Sequence, residues 1–117
     1  MSAGIFDRTP RPVSPVETAY RRISTDIPAP GTDDLLAILD ANESRSMHGQ
    51  MPLVWDRAHD FSVYDRAGNR WIDFTSTIFV ANTGHGNRAV RHAVREVLDR
   101  GLLHSYAYAS EIRASYL

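Results

Sequence analysis

The sequence predicts an α+β fold, in which a β-hairpin is accompanied by helices instead of alternating with them. Residues 61–74 show the polar–apolar alternation of two strands around a glycine turn. The segments that begin at Thr32 and at residue 88 have apolar residues at helical spacing. No strand–helix–strand alternation is evident, so one hairpin offers little sheet for the helix faces to cover. We therefore expect the chain to be the N-terminal part of something longer.

Residues 1–31 are predicted to form a proline-rich N-terminal arm. Five of the six prolines lie in this segment. Proline fixes φ, removes a hydrogen-bond donor and disfavours a helix at the preceding residue. We expect an extended segment that is not ordered without a partner, with a short helix over 16–23 as the alternative.

The first helix is predicted to begin with Thr32 as its N-cap. Asp33 and Asp34 occupy the first turn, where the helix dipole favours negative charge. The hairpin over 61–74 follows, and we place its turn at Gly68 and Asn69, because both residue types tolerate positive φ.

A further helix is predicted over 88–100, with Asn87 as its cap and Gly101 after its last turn. One face of this helix is apolar and consists of Val90, Ala93, Val94, Val97 and Leu98. Ser110 and Glu111 then begin the last predicted helix.

Composition excludes several functional classes. The formal net charge of −1 provides no basic field for nucleic acid or an anionic membrane. No apolar run approaches the ~18 residues of a membrane span, and the N-terminus lacks a signal-peptide core. Cysteine is absent, so disulfides and cysteine metal sites are excluded, and we expect a cytoplasmic protein. All 13 basic residues are arginines, which excludes Schiff-base chemistry on a lysine of these 117 residues.

Single residues do not establish an active site. The five histidines lack the spacing of a zinc helix, so no metal site is predicted. Asp65 and Asp73 flank the hairpin turn and could form an acid–base pair, but strand-end carboxylates that accept backbone or arginine hydrogen bonds are the favoured interpretation. Residues 84–87 could hold an anion at a helix N-terminus or form a structural turn. Tyr106 and Tyr108 could stack on single-stranded nucleic acid, although the net charge favours buried or interface aromatics.

The order of the motifs is more specific than any single residue. Six elements follow one another from residue 44 onward: Pro52, Tyr64 to Gly68, Trp71-Ile72-Asp73-Phe74, Asn82-Thr83-Gly84-His85, Ala89 to Leu98, and Leu103-His104-Ser105-Tyr106. In this order they resemble the class III aminotransferases of the ornithine, acetylornithine and GABA type, which depend on pyridoxal 5'-phosphate (PLP). The family commonly continues Gly-His-x-His-Pro, whereas Asn87 and Arg88 follow Gly86 here, so an asparagine cap replaces the proline.

The resemblance implies a fold type I PLP-dependent transferase, α/β in its full length and a homodimer. It implies transfer of an amino group from an amine or amino acid to a 2-oxo acid, with PLP as the electron sink. Residues 32–117 would be the N-terminal portion of the small domain, cut off before the large PLP-binding domain. The family's phosphate cradle and Schiff-base lysine lie further along the chain. We therefore assign no catalytic or cofactor-binding residue here, and expect the chain alone to be inactive without stably bound PLP.

The resemblance also implies the position of three side chains. Ile78 and Phe79 would lie at the substrate pocket, with Met47 or His48 near its entrance. Core packing is the alternative for Ile78 and Phe79. The other functions left open are a different PLP reaction (aminomutase, racemase or decarboxylase) and a non-catalytic interaction module that uses the arm and the Tyr106/Tyr108 loop.

Overall fold

The computed structural model describes residues 6–102 and 108–115. The chain divides into two compact units, Met1–His85 and Gly86–Leu117. An antiparallel sheet and a helix make up the first unit, and helices make up the second, which confirms the predicted α+β class. The predicted loop at 103–106 lies outside the described residues, and so does Tyr106.

Five antiparallel strands form one sheet in the order β1-β2-β5-β4-β3. Their bounds are Val16–Glu17 (β1), Arg22–Ile23 (β2), Trp55–His59 (β3), Ser62–Asp65 (β4) and Arg70–Ile72 (β5). The predicted hairpin is confirmed as β4–β5, in which Val63 pairs with Trp71. The expectation of one hairpin and little sheet is wrong, because β3 pairs with β4 and β2 pairs with β5. Arg22 of β2 and Arg70 of β5 lie far apart in the sequence, so their pairing leaves no local signal. In contrast, β3 and β4 are joined by a tight turn at residues 60–61, which the prediction missed.

The proline-rich arm supplies two of these strands. Val16 pairs with Ile23 in a short hairpin, and Arg22 continues the pairing to Arg70 of β5. Arg11 and Ile27 exchange backbone hydrogen bonds of 3.0 Å in both directions. The extended conformation is confirmed, whereas the helix over 16–23 is wrong. The expectation that this segment is not ordered by itself is also wrong for the described residues. Its prolines lack N–H donors, but its other residues form backbone hydrogen bonds within the arm and to β5.

The turn between β4 and β5 needs a glycine. Gly68 has a φ of +88°, as predicted, whereas Asn69 does not adopt positive φ. We expect Gly68→Ala to destabilise the first unit by about 1 kcal/mol, because a Cβ disfavours this backbone conformation. No atom lies within 4 Å of the added Cβ, so the cost arises from the backbone and not from a clash. Urea unfolding measures the change, and an unaltered free energy of unfolding would contradict it.

Asn69 has a different role from the one predicted, because its side chain is fully buried. Its Nδ2 donates to Asp65 Oδ2 and to Thr25 Oγ1, both at 2.8 Å, and its Oδ1 accepts from the backbone N–H of Ser24 at 2.8 Å. Trp71 Nε1 also donates to Asp65 Oδ2 at 3.4 Å. Asn69 therefore connects the arm to the turn of the central hairpin.

Helix α1 spans Thr32–Asn42, and its N-cap is Gly31 instead of Thr32. Gly31 has a φ of +82°, and the Thr32 N–H donates to the Ala29 carbonyl at 3.1 Å. The N-cap therefore lies one residue earlier than predicted, and Thr32 is a buried residue within the helix. The core of the first unit then consists of Ile23, Ala29, Leu36 and Val63.

The remaining elements are helical. A 3₁₀ helix covers Arg45–Met47, and a helical turn, α2, covers Ser76–Phe79. In the second unit, α3 spans Arg88–Asp99, and the Asn87 side chain accepts from the N–H groups of Ala89 and Val90 as predicted. Helix α4 spans Glu111–Ala114, with Ser110 as its cap. Across the described ranges, no helix has the length and apolar character needed to cross a membrane.

Candidate functional site

An apolar groove of about 790 Å³ lies beside α1 in the first unit. Leucines of α1 form one wall, Ser46, Met47 and several residues between 50 and 55 form another, and Thr75, Thr77 and Ile78 close it. The structure therefore brings Ile78 and Met47 to the same groove. Phe79 and His48 do not line it.

Ile78 and Phe79 are not core residues of the first unit. Their exposed fractions within this chain are 79% and 80%. Phe74 and Val80 are 88% and 78% exposed. We name residues 74–80 the exposed apolar segment. Apolar side chains clustered at a surface are typical of ligand-binding or interaction sites.

His48 follows the 3₁₀ helix and lies close to Asp40 of α1. Its Nε2 is buried and has no hydrogen-bond partner among the residues that the structure describes. The Arg8 guanidinium, 2.7 Å from the Asp40 carboxylate, lowers the pKa of Asp40, and the charge of His48 acts in the same direction. His48 therefore lies outside the groove, beside α1.

The backbone of α2 is left-handed. The φ values of Ser76, Thr77, Ile78 and Phe79 are +48°, +53°, +57° and +67°. Left-handed helical conformation costs an L-residue roughly 1–2 kcal/mol, and it is least compatible with β-branched side chains such as Thr77 and Ile78. Such strain concentrates at functional sites. The sequence Ser-Thr-Ile-Phe contains no glycine that could have predicted this conformation.

The carboxylate of Asp73 holds the start of this turn. Its Oδ1 accepts from the N–H and hydroxyl of Thr75 at 3.0 and 2.9 Å, and its Oδ2 accepts from the Thr77 N–H at 2.9 Å. His85 Nε2 lies 2.8 Å from the same Oδ2. An ionised carboxylate only accepts hydrogen bonds, so in this pair His85 Nε2 is protonated and its N–H is the hydrogen-bond donor. The preferred interpretation of Asp73 is thus confirmed in its backbone contacts, but its side-chain partner across the turn is a histidine and not an arginine.

Three contacts hold His85 in turn. Its ring lies edge-on to Trp55, with centroids 5.4 Å apart. Its backbone exchanges hydrogen bonds of 2.7 and 2.8 Å with Asp60. Gly84 permits this approach, since a Cβ there would lie 3.3 Å from Asp60 Cα. In the sequence, His85 has the pattern of a glycine turn, and nothing there indicates its pairing with Asp73, twelve residues earlier.

The lowered pKa of Asp73 predicts that the folded state is less stable in acid. Burial raises the pKa of Asp73, but the hydrogen bonds from His85, Thr75 and Thr77 outweigh it and lower the pKa from 3.8 to about 2. A carboxyl with a depressed folded-state pKa stabilises the fold above its unfolded pKa and loses that contribution as the pH falls towards the folded value. We therefore expect stability to decrease between about pH 4 and pH 2. Urea unfolding at several pH values in this window measures the free energy of unfolding. The same pH dependence in Asp73→Asn would contradict the attribution to Asp73.

The N-termini of α1 and α3 are poorly suited to the phosphate of PLP. A helix N-terminus binds a phosphate through unoccupied N–H donors, but the Asn87 side chain already accepts from two of those of α3. At the start of α1, Asp33 and Asp34 would repel a phosphate. Within the same residues, no group of three histidine or carboxylate side chains could hold a metal ion.

The comparisons with known proteins identify the family. Residues 44–115 match the family model of the class-III aminotransferases. Diaminobutyrate–2-oxoglutarate transaminase of Halalkalibacterium halodurans is 30% identical over 77 residues, which cover 65% of this chain and 18% of that protein. The enzyme of the same name from Sporosarcina pasteurii is 31% identical over 70% of this chain and 20% of its own length. Mitochondrial ornithine aminotransferase of Arabidopsis thaliana is 27% identical over 70% of this chain and 17% of its own length.

The matched region coincides with the motifs of the sequence. It begins at residue 44, where the ordered motifs begin, and includes β3, β4, β5, α2 and α3. The chain spans about a fifth of the length of these curated relatives. Since the family model matches more than half of its residues, the chain belongs to the class III aminotransferase family.

Proposed function

We propose that the complete protein is a PLP-dependent aminotransferase of fold type I that transfers an amino group from an amine or amino acid to a 2-oxo acid. The match of residues 44–115 to the class III family carries this proposal. In this proposal PLP is bound by the remainder of the chain, where it supplies the electron sink. The absence of lysine from these 117 residues supports that placement.

In this proposal residues 1–31 are an arm and residues 32–117 are the N-terminal portion of the small domain. The proposed partners are the remainder of the chain and a second copy in a cytoplasmic homodimer. The exposed apolar segment supports such an interface, because Phe74 and Val80 are 88% and 78% exposed without it.

Ile78 and Phe79 are proposed to contact the substrate, with His48 near the entrance. Ile78 and Met47 share the groove beside α1, which supports a pocket wall at this place. The strained backbone of α2 supports it too, because strain of this kind persists where function requires it.

The reaction itself is tested in the complete protein loaded with PLP. The names of the relatives suggest diaminobutyrate and ornithine as amino donors and 2-oxoglutarate as acceptor. We expect formation of glutamate in step with loss of the donor. Release of CO₂, racemisation or rearrangement without amino transfer would replace this proposal with another PLP reaction. Absence of both PLP binding and turnover would favour the interaction module.

Phe79→Ala tests the pocket assignment. We expect the ratio of kcat/KM between diaminobutyrate and ornithine to change roughly tenfold, because truncating an apolar side chain of a substrate pocket alters discrimination by about that factor. The absorbance of bound PLP should not change. Ile38→Ala is the matched control, since Ile38 is 59% exposed on α1 and lies outside both the groove and the exposed apolar segment. Loss of PLP absorbance with unaltered substrate preference would contradict the assignment.

A further inference from the structure

The left-handed turn α2 is not stabilised by burial of its own apolar side chains. Ile78 and Phe79 are 79% and 80% exposed, although all four residues of the turn have positive φ. An L-residue does not hold this backbone without compensating interactions. The interactions that favour α2 must therefore come from polar contacts.

Backbone N–H groups of Phe79 and Val80 donate to the carbonyls of Thr75 and Ser76 at 2.9 and 2.8 Å, and the side-chain contacts of the turn converge on one carboxylate. Asp73 Oδ2 accepts from the N–H of Thr77 at 2.9 Å and from its hydroxyl at 3.3 Å, and both donors belong to α2. The same oxygen accepts from His85 Nε2 at 2.8 Å. The side chains of Asp73 and His85 are 5% and 14% exposed, so water competes little for these bonds.

His85 determines where this carboxylate can lie. The ring of His85 is held by Trp55 of β3 and its backbone by Asp60. Its Nε2–H is thereby aimed at Asp73 from the sheet side, while Thr77 approaches from α2. The Asp73–His85 pair therefore connects β3, which contacts the His85 ring, to Thr77 of α2.

We propose that His85 acts through Asp73 as a positioning residue that holds α2 in its left-handed conformation and so determines how Ile78 and Phe79 face the substrate. The role of His85 towards the substrate rests on the proposed function. The effect of His85 on the backbone of α2 is independent of that function. His85 itself needs no contact with substrate or cofactor.

The test compares His85→Leu with His85→Gln. Gln presents an Nε2–H that can donate to Asp73 Oδ2, whereas Leu has a similar volume and no donor. In the 117-residue chain, NMR backbone couplings that distinguish positive from negative φ are measured at residues 76–79. We expect Gln to keep positive φ and Leu to lose it. Positive φ throughout α2 in His85→Leu would overturn the proposal, whatever the protein's reaction.

The complete PLP-loaded protein provides the second measurement. We expect His85→Leu to change the kcat/KM ratio of the two amino donors at least tenfold, with His85→Gln restoring the wild-type ratio. An unaltered ratio in an active His85→Leu enzyme would overturn the role in specificity. A wild-type protein without transaminase activity overturns the proposed function, while the NMR result still decides the role of His85.

A second variant covers failure of His85→Leu to fold. Glycine adopts positive φ without the Cβ penalty, so Thr77→Gly should reduce the need for the Asp73–His85 pair. The double variant His85→Leu/Thr77→Gly is expected to recover folding and positive φ at residue 77. Failure to recover either one would overturn the proposal.

Discussion

Asn69→Ala is expected to destabilise the first unit by about 2–4 kcal/mol, because it leaves several buried polar groups without partners. The Asn69 side chain is fully buried and joins Ser24 and Thr25 of the arm to Asp65 of β4. Removing it leaves the Ser24 N–H without its acceptor and removes a donor from the carboxylate of Asp65, which is only 3% exposed.

The measurement is urea unfolding followed by the fluorescence of Trp71, which lies beside this network. Arg66→Ala is the matched control, since Arg66 is exposed in the same turn and should change stability by less than about 0.5 kcal/mol. Asn69→Asp should destabilise at least as much as alanine at neutral pH, because it places a second carboxylate against Asp65. An Asn69→Ala protein as stable as Arg66→Ala would show that the network contributes nothing.

No adduct between PLP and a side chain of the 117-residue chain is expected, and no transamination. A Schiff base needs an amine, and every basic residue here is an arginine, whose guanidinium is not a usable nucleophile. Of the described helices, neither α1 nor α3 favours a phosphate at its N-terminus, because the Asn87 side chain caps α3 and two aspartates lie in the first turn of α1.

This prediction is tested by titrating the chain with PLP, trapping adducts with borohydride and locating them by mass spectrometry. Acetylation of the N-terminus removes the α-amino group as a competing site. The complete protein is the positive control and should be trapped on a lysine outside these residues. A saturable adduct on the acetylated chain, together with turnover of an amino donor, would contradict the prediction.

Local signals in the sequence predicted the parts of the fold that depend on neighbouring residues. Asn87 and Ser110 cap their helices through bonds to N–H groups two or three residues away. Gly68 lies in the turn of the central hairpin, where the backbone needs a positive φ that glycine adopts without a Cβ penalty. The order of these motifs also sufficed to identify the class III family, which the match over residues 44–115 confirms.

The candidate site was predictable only in part. The resemblance named Ile78 and Met47, which line one groove, but it could not indicate the left-handed backbone that presents Ile78. Nor did it reveal that His85 and Asp73 form a pair, because a lone histidine in a glycine turn has no pattern that assigns its partner.

By itself, the sequence determined the α+β class, the central hairpin, the caps of α3 and α4, the family and the absence of lysine from these 117 residues. Only the tertiary structure decided that the arm joins the sheet, that Asn69 is buried and that Asp73 and His85 meet at α2. The bonds from Ser24 to Asn69 and from Arg70 to Thr18 connect residues 45 and 52 positions apart. Hydrogen bonds of that separation depend on how the chain folds back on itself, whereas caps and turns depend on the next few residues.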